Sequence, residues 1–262
     1  MLKVFPINAF NDNYIWLIKA ATSSQCWVVD PGAAAPVQDY LTANHLNLEG
    51  ILLTHHHYDH IDGVAELAKQ GVEVVGFAND AKRLPALTKP VKEGDTFELL
   101  GQSVKVMEVP GHTLGHIVYF VEGNENSQPL LFSGDTLFGA GCGRMFEGTP
   151  EQMQASLQSL ANLPPATQVF AAHEYTLSNL KFALEVEPNN TALQKRMTDC
   201  NQLRATGSPT LPSSLAVELA TNPFLRLDQP EVLASLKRRA AQTNLNNPAE
   251  AFKLLRSWKD TA

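Results

Sequence analysis

The sequence predicts two domains of different class, an α/β domain over residues 1–174 and an all-helical domain over residues 175–262. In the first part, short apolar runs rich in β-branched residues alternate with segments of helical period, which is typical of a fold in which helices cover a sheet. In the second part only segments of helical period follow, separated by turns that contain Pro or Asn. With 262 residues, the chain is long enough to bury a hydrophobic core in two such domains.

The predicted strands of the first domain are apolar runs bounded by turn residues such as Asp30-Pro31-Gly32. They cover residues 2–5, 14–19, 25–29, 50–54, 72–77, 96–99, 103–109, 117–121, 129–132 and 168–172. Helices are predicted at residues 37–45, 61–70 and 149–160, and the last begins with a Thr followed by a Pro, a common start of a helix. Asn-Asp-Asn at residues 11–13 predicts a turn, and Pro85 and Pro90 predict a loop.

The predicted helices of the second domain cover residues 175–187, 191–205, 214–220, 230–242 and 248–259. The formal charge also changes between the domains. Residues 1–174 have 9 basic and 19 acidic side chains, whereas residues 175–262 have 11 basic and 8 acidic ones. The acidic total of −7 disfavours a nucleic-acid partner. The basic surplus of +3 in the second domain suits a small anionic ligand, and it also lies within ordinary surface variation.

Composition also predicts the compartment. The sequence contains no apolar run near the ~20 residues that a membrane-spanning helix needs, and its start lacks the pattern of a secretory signal. The three cysteines, Cys26, Cys142 and Cys200, are an odd and scattered set, which suits a reducing compartment. We therefore expect a cytoplasmic protein without a membrane partner.

A cluster of histidines follows the predicted strand at residues 50–54. Four of the eight histidines lie at residues 55–60, in the sequence His-His-His-Tyr-Asp-His. In extended backbone alternate side chains point the same way, so His55 and His57 can bind one metal ion together. Asp59 and His60, at the bend into a helix, can face a second ion, while His56 points away from its neighbours. A polar surface loop is the alternative, but such a loop has no reason to collect half of the histidines behind a buried strand.

Further candidate ligands follow other predicted strands. His112 comes after residues 103–109, Asp135 after residues 129–132, and His173 after residues 168–172. His116 begins a strand and is interpreted as a core residue or as a neighbour of the ligands. Asp30 ends another strand, where its carboxylate can either cap a turn or hold the second nitrogen of a metal-bound His.

These residues predict a site for two divalent metal ions. Imidazole and carboxylate ligands without thiolate suit zinc, with iron or manganese as alternatives. We assign His55, His57 and His112 to one ion and Asp59, His60 and His173 to the other. Asp135 is then the bridging carboxylate that two neighbouring ions need.

The sequence resembles the metallo-β-lactamase superfamily and, within it, the glyoxalase II family. The resemblance depends on residues 54–60, on Gly-His-Thr-Leu-Gly-His at 111–116, on Gly-Asp-Thr-Leu-Phe at 134–138, on Gly-Cys-Gly-Arg at 141–144 and on His-Glu-Tyr-Thr at 173–176. It covers essentially the whole chain. It implies an αββα sandwich followed by a helical domain that binds the glutathione part of the substrate.

The resemblance also implies a substrate site, with glutathione contacts at Arg144, Tyr175, Asn179, Arg256 and Lys259. Phe146 departs from the pattern, because some members of the family have a ligand-binding tyrosine there. Without the resemblance, Arg256 and Lys259 are more typical of a solvated helix face, and Tyr175 and Asn179 could serve only to pack the helical segment onto the first domain.

The activity that the resemblance implies is hydrolysis of S-(2-hydroxyacyl)glutathione, chiefly S-D-lactoylglutathione, to D-lactate and glutathione, as a step of methylglyoxal detoxification. No side-chain base is expected, since a hydroxide bridging the two ions is the implied nucleophile. A thiolate leaving group, with a conjugate-acid pKa of about 8.5, needs no proton in the transition state, which favours a thioester over an amide substrate. We expect a monomer.

Three other functions are considered. An iron-dependent glutathione persulfide dioxygenase shares the fold, but it works with one metal, and Asp59, His60 and His173 supply a second. A phosphodiesterase acting on nucleic acid is disfavoured by the acidic charge. A non-catalytic metal-binding module is the least favoured, because storage of metal does not require seven ligands around an open bridging position.

Overall fold

The structure of the chain, a computed structural model, describes residues 1–69, 71–125, 127–240 and 245–262. These residues form two compact units. Unit 1 comprises Met1–Glu108 and Gly115–Gly134, and unit 2 comprises Val109–Leu114 and Asp135–Ala262. The units are defined by contacts within the fold, so the division of the sequence at residue 175 stays a prediction.

The bounds of the regular elements are as follows. The strands are β1 (Leu2–Ala9), β2 (Asn13–Ala20), β3 (Gln25–Val29), β4 (Asn47–Leu52), β5 (Glu73–Phe77), β6 (Lys89–Val91), β7 (Thr96–Leu99), β8 (Gln102–Glu108), β9 (Ile117–Val121), β10 (Leu130–Gly134), β11 (Leu137–Phe138), β12 (Gly141–Cys142), β13 (Gln168–Ala171) and β14 (Ser213–Ser214). The α-helices are α1 (Ala34–Asn44), α2 (Tyr58–Ile61), α3 (Val64–Leu67), α4 (Pro150–Ala161), α5 (Thr176–Val186), α6 (Thr191–Ala205), α7 (Leu215–Thr221), α8 (Pro230–Arg239) and α9 (Pro248–Lys259).

Unit 1 contains a six-stranded mixed sheet in the order β1-β2-β3-β4-β5-β6. The first three strands pair antiparallel, whereas β3 to β6 run parallel. The carboxyl ends of parallel strands meet at one edge of a sheet, which is where such sheets bind ligands. The segments that follow β3, β4 and β5 therefore come together at this edge, and they contain Asp30, the histidine cluster and Asp80.

The core of unit 1 packs on the apolar face of this sheet. Its buried members come from β1 to β5 and from α1 and α3, and they include Ile15, Val28, Ile51 and Val74. Strands β7 to β10 of the same unit form consecutive antiparallel pairs. The phenol of Tyr119 on β9 donates to the carbonyl oxygen of Leu53 at 2.8 Å and thus ties these strands to the end of β4.

Unit 2 is mainly helical. Helices α5 and α6 bury Leu180, Ala183, Leu193 and Cys200 around Ala140. Helix α4 begins as the sequence predicts, with Pro150 at its first position and with Thr149 and Gln152 forming a capping box. Among the helices that the structure describes, none is both long and apolar enough to cross a membrane.

Four details of the predicted elements are corrected. The helix predicted at residues 61–70 is two short helices, because the N–H of Gly63 bonds to the carbonyl of Pro31, and residue 70 lies outside the described residues. The predicted loop around Pro90 contains β6, which tolerates the proline because it is an edge strand. Strands return after residue 175 with the short β14, which pairs with β13. Helix α8 ends at Arg239, and the predicted end at residue 242 lies outside the described residues.

Candidate metal centre

Asp30 orients two of the predicted ligands in unit 1. Asp30 is 4% exposed, and its Oδ1 accepts a hydrogen bond of 2.8 Å from the backbone N–H of Thr54. Its Oδ2 accepts a hydrogen bond of 2.6 Å from the Thr54 hydroxyl and lies 3.1 Å from Nδ1 of His60. The Thr54 oxygen lies 3.0 Å from Nδ1 of His55 and accepts its hydrogen, since the hydroxyl hydrogen is donated to Asp30. Both imidazoles are thus held with Nδ1 protonated, which leaves Nε2 as the nitrogen that can bind a metal.

The donor atoms of Asp30, His55 and His60 lie within 4.8 Å of one another, so these residues are themselves a possible metal group. The oxygens of Asp30 already accept hydrogen bonds from Thr54 and His60. Asp30 therefore has the geometry of a carboxylate that orients ligands, as the sequence suggested. Its role toward a metal stays a prediction.

Asp59 is held by residues from two other segments. Its Oδ2 accepts a hydrogen bond of 3.1 Å from the side-chain amide of Asn13, which is buried at the start of β2. The backbone of Asp59 packs on Gly32, where an added Cβ would lie 1.8 Å from the Asp59 carbonyl oxygen. Gly32 is therefore required by a close backbone approach and not only by a turn.

His56 is held by two side chains that are not among the predicted ligands, and its ring lies 5.2 Å from that of His57. Its Nδ1 lies 2.9 Å from Oδ2 of Asp80, and its Nε2 lies 3.1 Å from Nη1 of Arg83. Asp80 is 3% exposed and also forms an ion pair with Arg83. Both ring nitrogens of His56 are thus engaged by Asp80 and Arg83, which anchor the histidine segment.

Three further imidazoles of unit 1 pack against His55. The ring of His57 lies 4.7 Å away in an edge-on arrangement, and that of His60 lies 4.1 Å away. His116 is fully buried and stacks on His55 with a centroid separation of 4.7 Å and an interplanar angle of 20°. His116 thus lies beside a predicted ligand, and its role toward a metal stays a prediction.

Unit 2 brings together the other three predicted ligands. Asp135 follows β10 and points its two oxygens at different histidines, with Oδ2 3.4 Å from Nε2 of His112 and Oδ1 3.4 Å from Nε2 of His173. Nδ1 of His112 donates to the carbonyl of Arg144 at 2.8 Å. The ring of His173 stacks on Tyr175 with a centroid separation of 4.7 Å and an interplanar angle of 4°. The carboxylate has the orientation that a bridge between two ions requires.

The separations of the donor atoms fit divalent metal ions. With metal–ligand bonds of about 2.0–2.2 Å, two ligands of a tetrahedral ion lie about 3.3–3.5 Å apart. The Asp135–His112 and Asp135–His173 separations are both 3.4 Å, and Oδ2 of Asp59 lies 3.5 Å from Nε2 of His60. These distances are long for hydrogen bonds and suit pairs of atoms that share an ion. In chemistry and in spacing, the imidazole and carboxylate donors of each unit fit such ions.

The segment that follows Asp135 is fixed by buried polar side chains of unit 2. Glu218 is fully buried and accepts the N–H of Ala140 at 2.8 Å, and Asn222 donates to the carbonyl of Gly141 at 2.9 Å. Asn179, a predicted glutathione contact, is 5% exposed and donates to the carbonyl of Gly139 at 3.0 Å. This bond gives Asn179 a structural function. A contact with substrate stays a prediction.

The predicted cationic contacts lie in the same unit. Arg256 is 4% exposed, and its Nη1 donates to the carbonyl of Cys142 at 3.1 Å. Arg144 is exposed, and Lys259 is half-buried with Nζ 3.4 Å from the carbonyl of Ser178. Burial, together with the neighbouring Arg256, lowers the pKa of Lys259, so this lysine gives up its proton more readily than one in water.

The two predicted aromatic contacts differ in exposure. Phe146 is 65% exposed and lies edge-on to His112 at 5.3 Å. Tyr175 is half-buried between Phe138 and His173. Phe146 therefore offers an open aromatic surface beside a predicted ligand.

Sequence reasoning missed Asn13, Thr54, Asp80 and Glu218. Asn13 is part of a sequence that reads as a turn, and Glu218 is part of a predicted helix in which no local pattern marks it as buried. Asp80 could have been found from the sequence, because it follows a predicted strand as Asp30 does. Thr54 was recognised only as the end of a strand.

Two family models match the chain and together cover nearly all of it. Residues 10–173 match the metallo-beta-lactamase superfamily, and residues 174–262 match the hydroxyacylglutathione hydrolase C-terminus. The metallo-β-lactamase fold followed by a C-terminal helical region, which the sequence predicts, is thereby confirmed. This fold and the His and Asp groups of the chain suggest a dinuclear metal site.

Bacterial proteins named hydroxyacylglutathione hydrolase are similar over the whole chain. That of Pseudomonas aeruginosa (strain LESB58) is 50% identical over 262 residues, and the match covers 99% of each protein. That of Vibrio parahaemolyticus serotype O3:K6 (strain RIMD 2210633) is 51% identical over 260 residues, again with 99% of each covered. The chain therefore belongs to the hydroxyacylglutathione hydrolase family of the metallo-β-lactamase superfamily.

Solved structures show the same fold at lower identity. ETHE1 from Myxococcus xanthus aligns with a TM-score of 0.64 and 22% identity, covering 100% of this chain and 99% of that one. The BLEG-1 B3 metallo-beta-lactamase aligns with a TM-score of 0.62 and 20% identity, covering 86% and 99%. TTHA1623, solved in a di-iron-bound form, aligns with a TM-score of 0.53 and 28% identity, covering 65% and 92%.

Proposed function

We propose that the chain hydrolyses S-(2-hydroxyacyl)glutathione thioesters, chiefly S-D-lactoylglutathione, to D-lactate and glutathione, as a step of methylglyoxal detoxification. The observation that supports this most directly is the match of residues 174–262 to the C-terminal region of hydroxyacylglutathione hydrolases. The metallo-β-lactamase fold serves many reactions, so this second region supports the choice of a glutathione thioester as substrate.

We propose the seven predicted ligands as the metal-binding residues. His55, His57 and His112 would hold one ion, Asp59, His60 and His173 the other, and Asp135 would be shared. The geometry that supports this assignment is the carboxylate of Asp135, whose two oxygens each face one histidine assigned to a different ion. Zinc is the metal we propose, because imidazole and carboxylate donors are typical of its hydrolytic sites. Iron and manganese accept the same donors and are the alternatives.

When bound, two such ions would lower the pKa of a shared water to about 7 and polarise the thioester carbonyl. The residues of the chain supply the rest. Asp30 and Thr54 fix the tautomers of two ligands, so that no reorientation is needed during the reaction. The departing thiolate needs no proton donor, which agrees with the absence of any assigned side-chain acid.

We propose that residues 175–262 form the domain that binds the glutathione part of the substrate. Arg144, Arg256 and Lys259 are positively charged side chains that suit its carboxylates. Tyr175, Asn179 and Phe146 complete the proposed set. We also propose that the protein is a monomer and that it is cytoplasmic. The three cysteines are buried as free thiols, which is in keeping with the reducing cytoplasm.

The test is the rate of S-D-lactoylglutathione hydrolysis by purified protein whose metal content has been measured. We expect two metal ions per chain and a kcat/KM above about 10⁴ M⁻¹s⁻¹, within the usual range of enzymes. Slow turnover with two bound ions would support a hydrolase but reject S-D-lactoylglutathione as its main substrate. One bound iron without hydrolysis would favour the persulfide dioxygenase instead.

A further inference from the structure

The end of α9 contains an acidic side chain that pairs with two of the proposed substrate-binding arginines. Oδ1 of Asp260 lies 3.0 Å from Nη2 of Arg256 and 3.7 Å from Nε of Arg144. Both guanidinium groups therefore converge on one carboxylate oxygen. A pair of arginines around one carboxylate is also the arrangement that binds the carboxylate of a ligand.

Arg256 does not need Asp260 to hold its position. The side chain is 4% exposed, its Nη1 donates to the Cys142 carbonyl, and its guanidinium lies 5.3 Å from the ring centre of Phe224. Its Nε is buried without a hydrogen-bond partner. The guanidinium is thus held by packing and by the Cys142 carbonyl, independently of Asp260.

Asp260, in contrast, is weakly held. Its side chain is 43% exposed, whereas that of Arg256 is 5% exposed. It follows the last turn of α9, where a negative charge is unfavourable because the carbonyl end of a helix is itself partly negative. In this i,i+4 pair only the acidic member reaches solvent, which screens its attraction to Arg256. Stability of the helix therefore does not explain an acidic residue at this position.

We infer that Asp260 is a specificity-determining residue that competes with the substrate for Arg256 and Arg144. Its carboxylate occupies the place of the glycine carboxylate of the glutathione part and is displaced when substrate binds. The glycine carboxylate is the group expected there, because the γ-glutamyl carboxylate of glutathione has its own neighbouring ammonium. This inference rests on the proposed function. If Asp260 competes with the substrate, it weakens substrate binding. If Asp260 instead orients the two arginines, it strengthens substrate binding.

The variant that tests this inference is Asp260→Asn, which keeps the shape of the side chain and removes its charge. We expect KM for S-D-lactoylglutathione to fall about three- to tenfold, because the competing carboxylate and its repulsion of the substrate are both removed. We expect kcat to change less than twofold, since Asp260 contacts no reacting group. Asp260→Glu keeps the carboxylate and should keep the KM of the natural chain.

Asp199→Asn is the matched control. Asp199 forms an exposed i,i+4 pair with Lys195 on α6, so the substitution changes charge equally at another surface helix. We expect it to leave KM unchanged. A second control is the thioester whose glycine carboxylate is blocked as an ethyl ester, for which Asp260→Asn should change KM less than twofold.

The outcomes separate the inference from the proposed function. If the natural chain hydrolyses S-D-lactoylglutathione but Asp260→Asn leaves KM unchanged or raises it, Asp260 is not a competitor and only the inference fails. An equal fall in KM for the blocked thioester would also overturn it. If the natural chain does not hydrolyse or bind glutathione thioesters, the proposed function fails and the inference fails with it.

Discussion

The two groups of predicted metal ligands are supported in different ways. In unit 1 the four ligands lie within six residues of sequence, and buried polar side chains from other strands orient them. In unit 2 the three ligands lie far apart in sequence, and a main-chain carbonyl and an aromatic ring support them. The neighbours in unit 1 are almost fully buried, as Asp30 is at 4%, whereas Phe146 in unit 2 is 65% exposed. The comparison suggests that changes next to the first group act on metal binding and changes next to the second act on substrate.

The largest effect is expected from Asp135→Asn, which tests whether the unit 2 group shares its carboxylate between ions. An amide supplies one weak oxygen ligand in place of two charged oxygens, so metal content and activity should fall together. Loss of a residue that only orients a metal ligand already lowers metal affinity or activity about 10–100-fold. For loss of a shared ligand we therefore expect activity to fall by more than about 10²-fold. The measurements are metal content by elemental analysis and kcat on the same sample, with Asp199→Asn as control. Two ions bound at full occupancy in the variant would contradict the bridging role.

A smaller effect is expected from Asp30→Asn, which tests the buried support in unit 1. The amide nitrogen would face either the backbone N–H of Thr54 or both the Thr54 hydroxyl and Nδ1 of His60, all of which are donors that need an acceptor. We expect metal affinity, measured by competition with a chelator, to fall about 10–100-fold.

Asp80→Asn is the matched comparison, because Asp80 is equally buried and follows another parallel strand, β5, but holds His56, which is not a predicted ligand. We expect it to cost about 1–3 kcal/mol of folding stability, measured by urea unfolding, and to change metal affinity less than threefold. An equal loss of metal affinity in both variants would show that general loosening of the segment, and not orientation of ligands, is responsible.

The same comparison shows what the sequence can reveal. Residues 55–60 were recognisable because the ligands are contiguous and follow a buried apolar run. His112, Asp135 and His173 were recognisable because each follows a strand. Strand and helix positions followed from apolar periodicity, and α6 and α9 have the predicted bounds.

The supporting residues could not be found in this way, because their function depends on contacts between distant parts of the chain. Asn13 reads as a turn residue and becomes a partner of Asp59 only when β2 lies beside the histidine segment. The break between α2 and α3 likewise depends on a bond from Gly63 to Pro31, which periodicity within one segment cannot reveal. Sequence patterns report local structure and burial, whereas the orientation of a ligand is a tertiary property.

The smallest effect is expected from Phe146→Tyr, which tests whether the exposed neighbour of the unit 2 group acts on substrate. Phe146 packs edge-on to His112, and its N–H bonds to the His112 carbonyl at 3.0 Å, so its backbone is fixed while its ring edge is open. A tyrosine would add one neutral hydrogen-bond donor, worth about 0.5–1.5 kcal/mol, and should lower KM about two- to tenfold with kcat nearly unchanged. Phe10→Tyr, at a 57% exposed position of unit 1, should change neither constant. If Phe146→Tyr altered metal affinity and left KM unchanged, the exposed residue would belong to the metal site, and the proposed difference between the two groups would be lost.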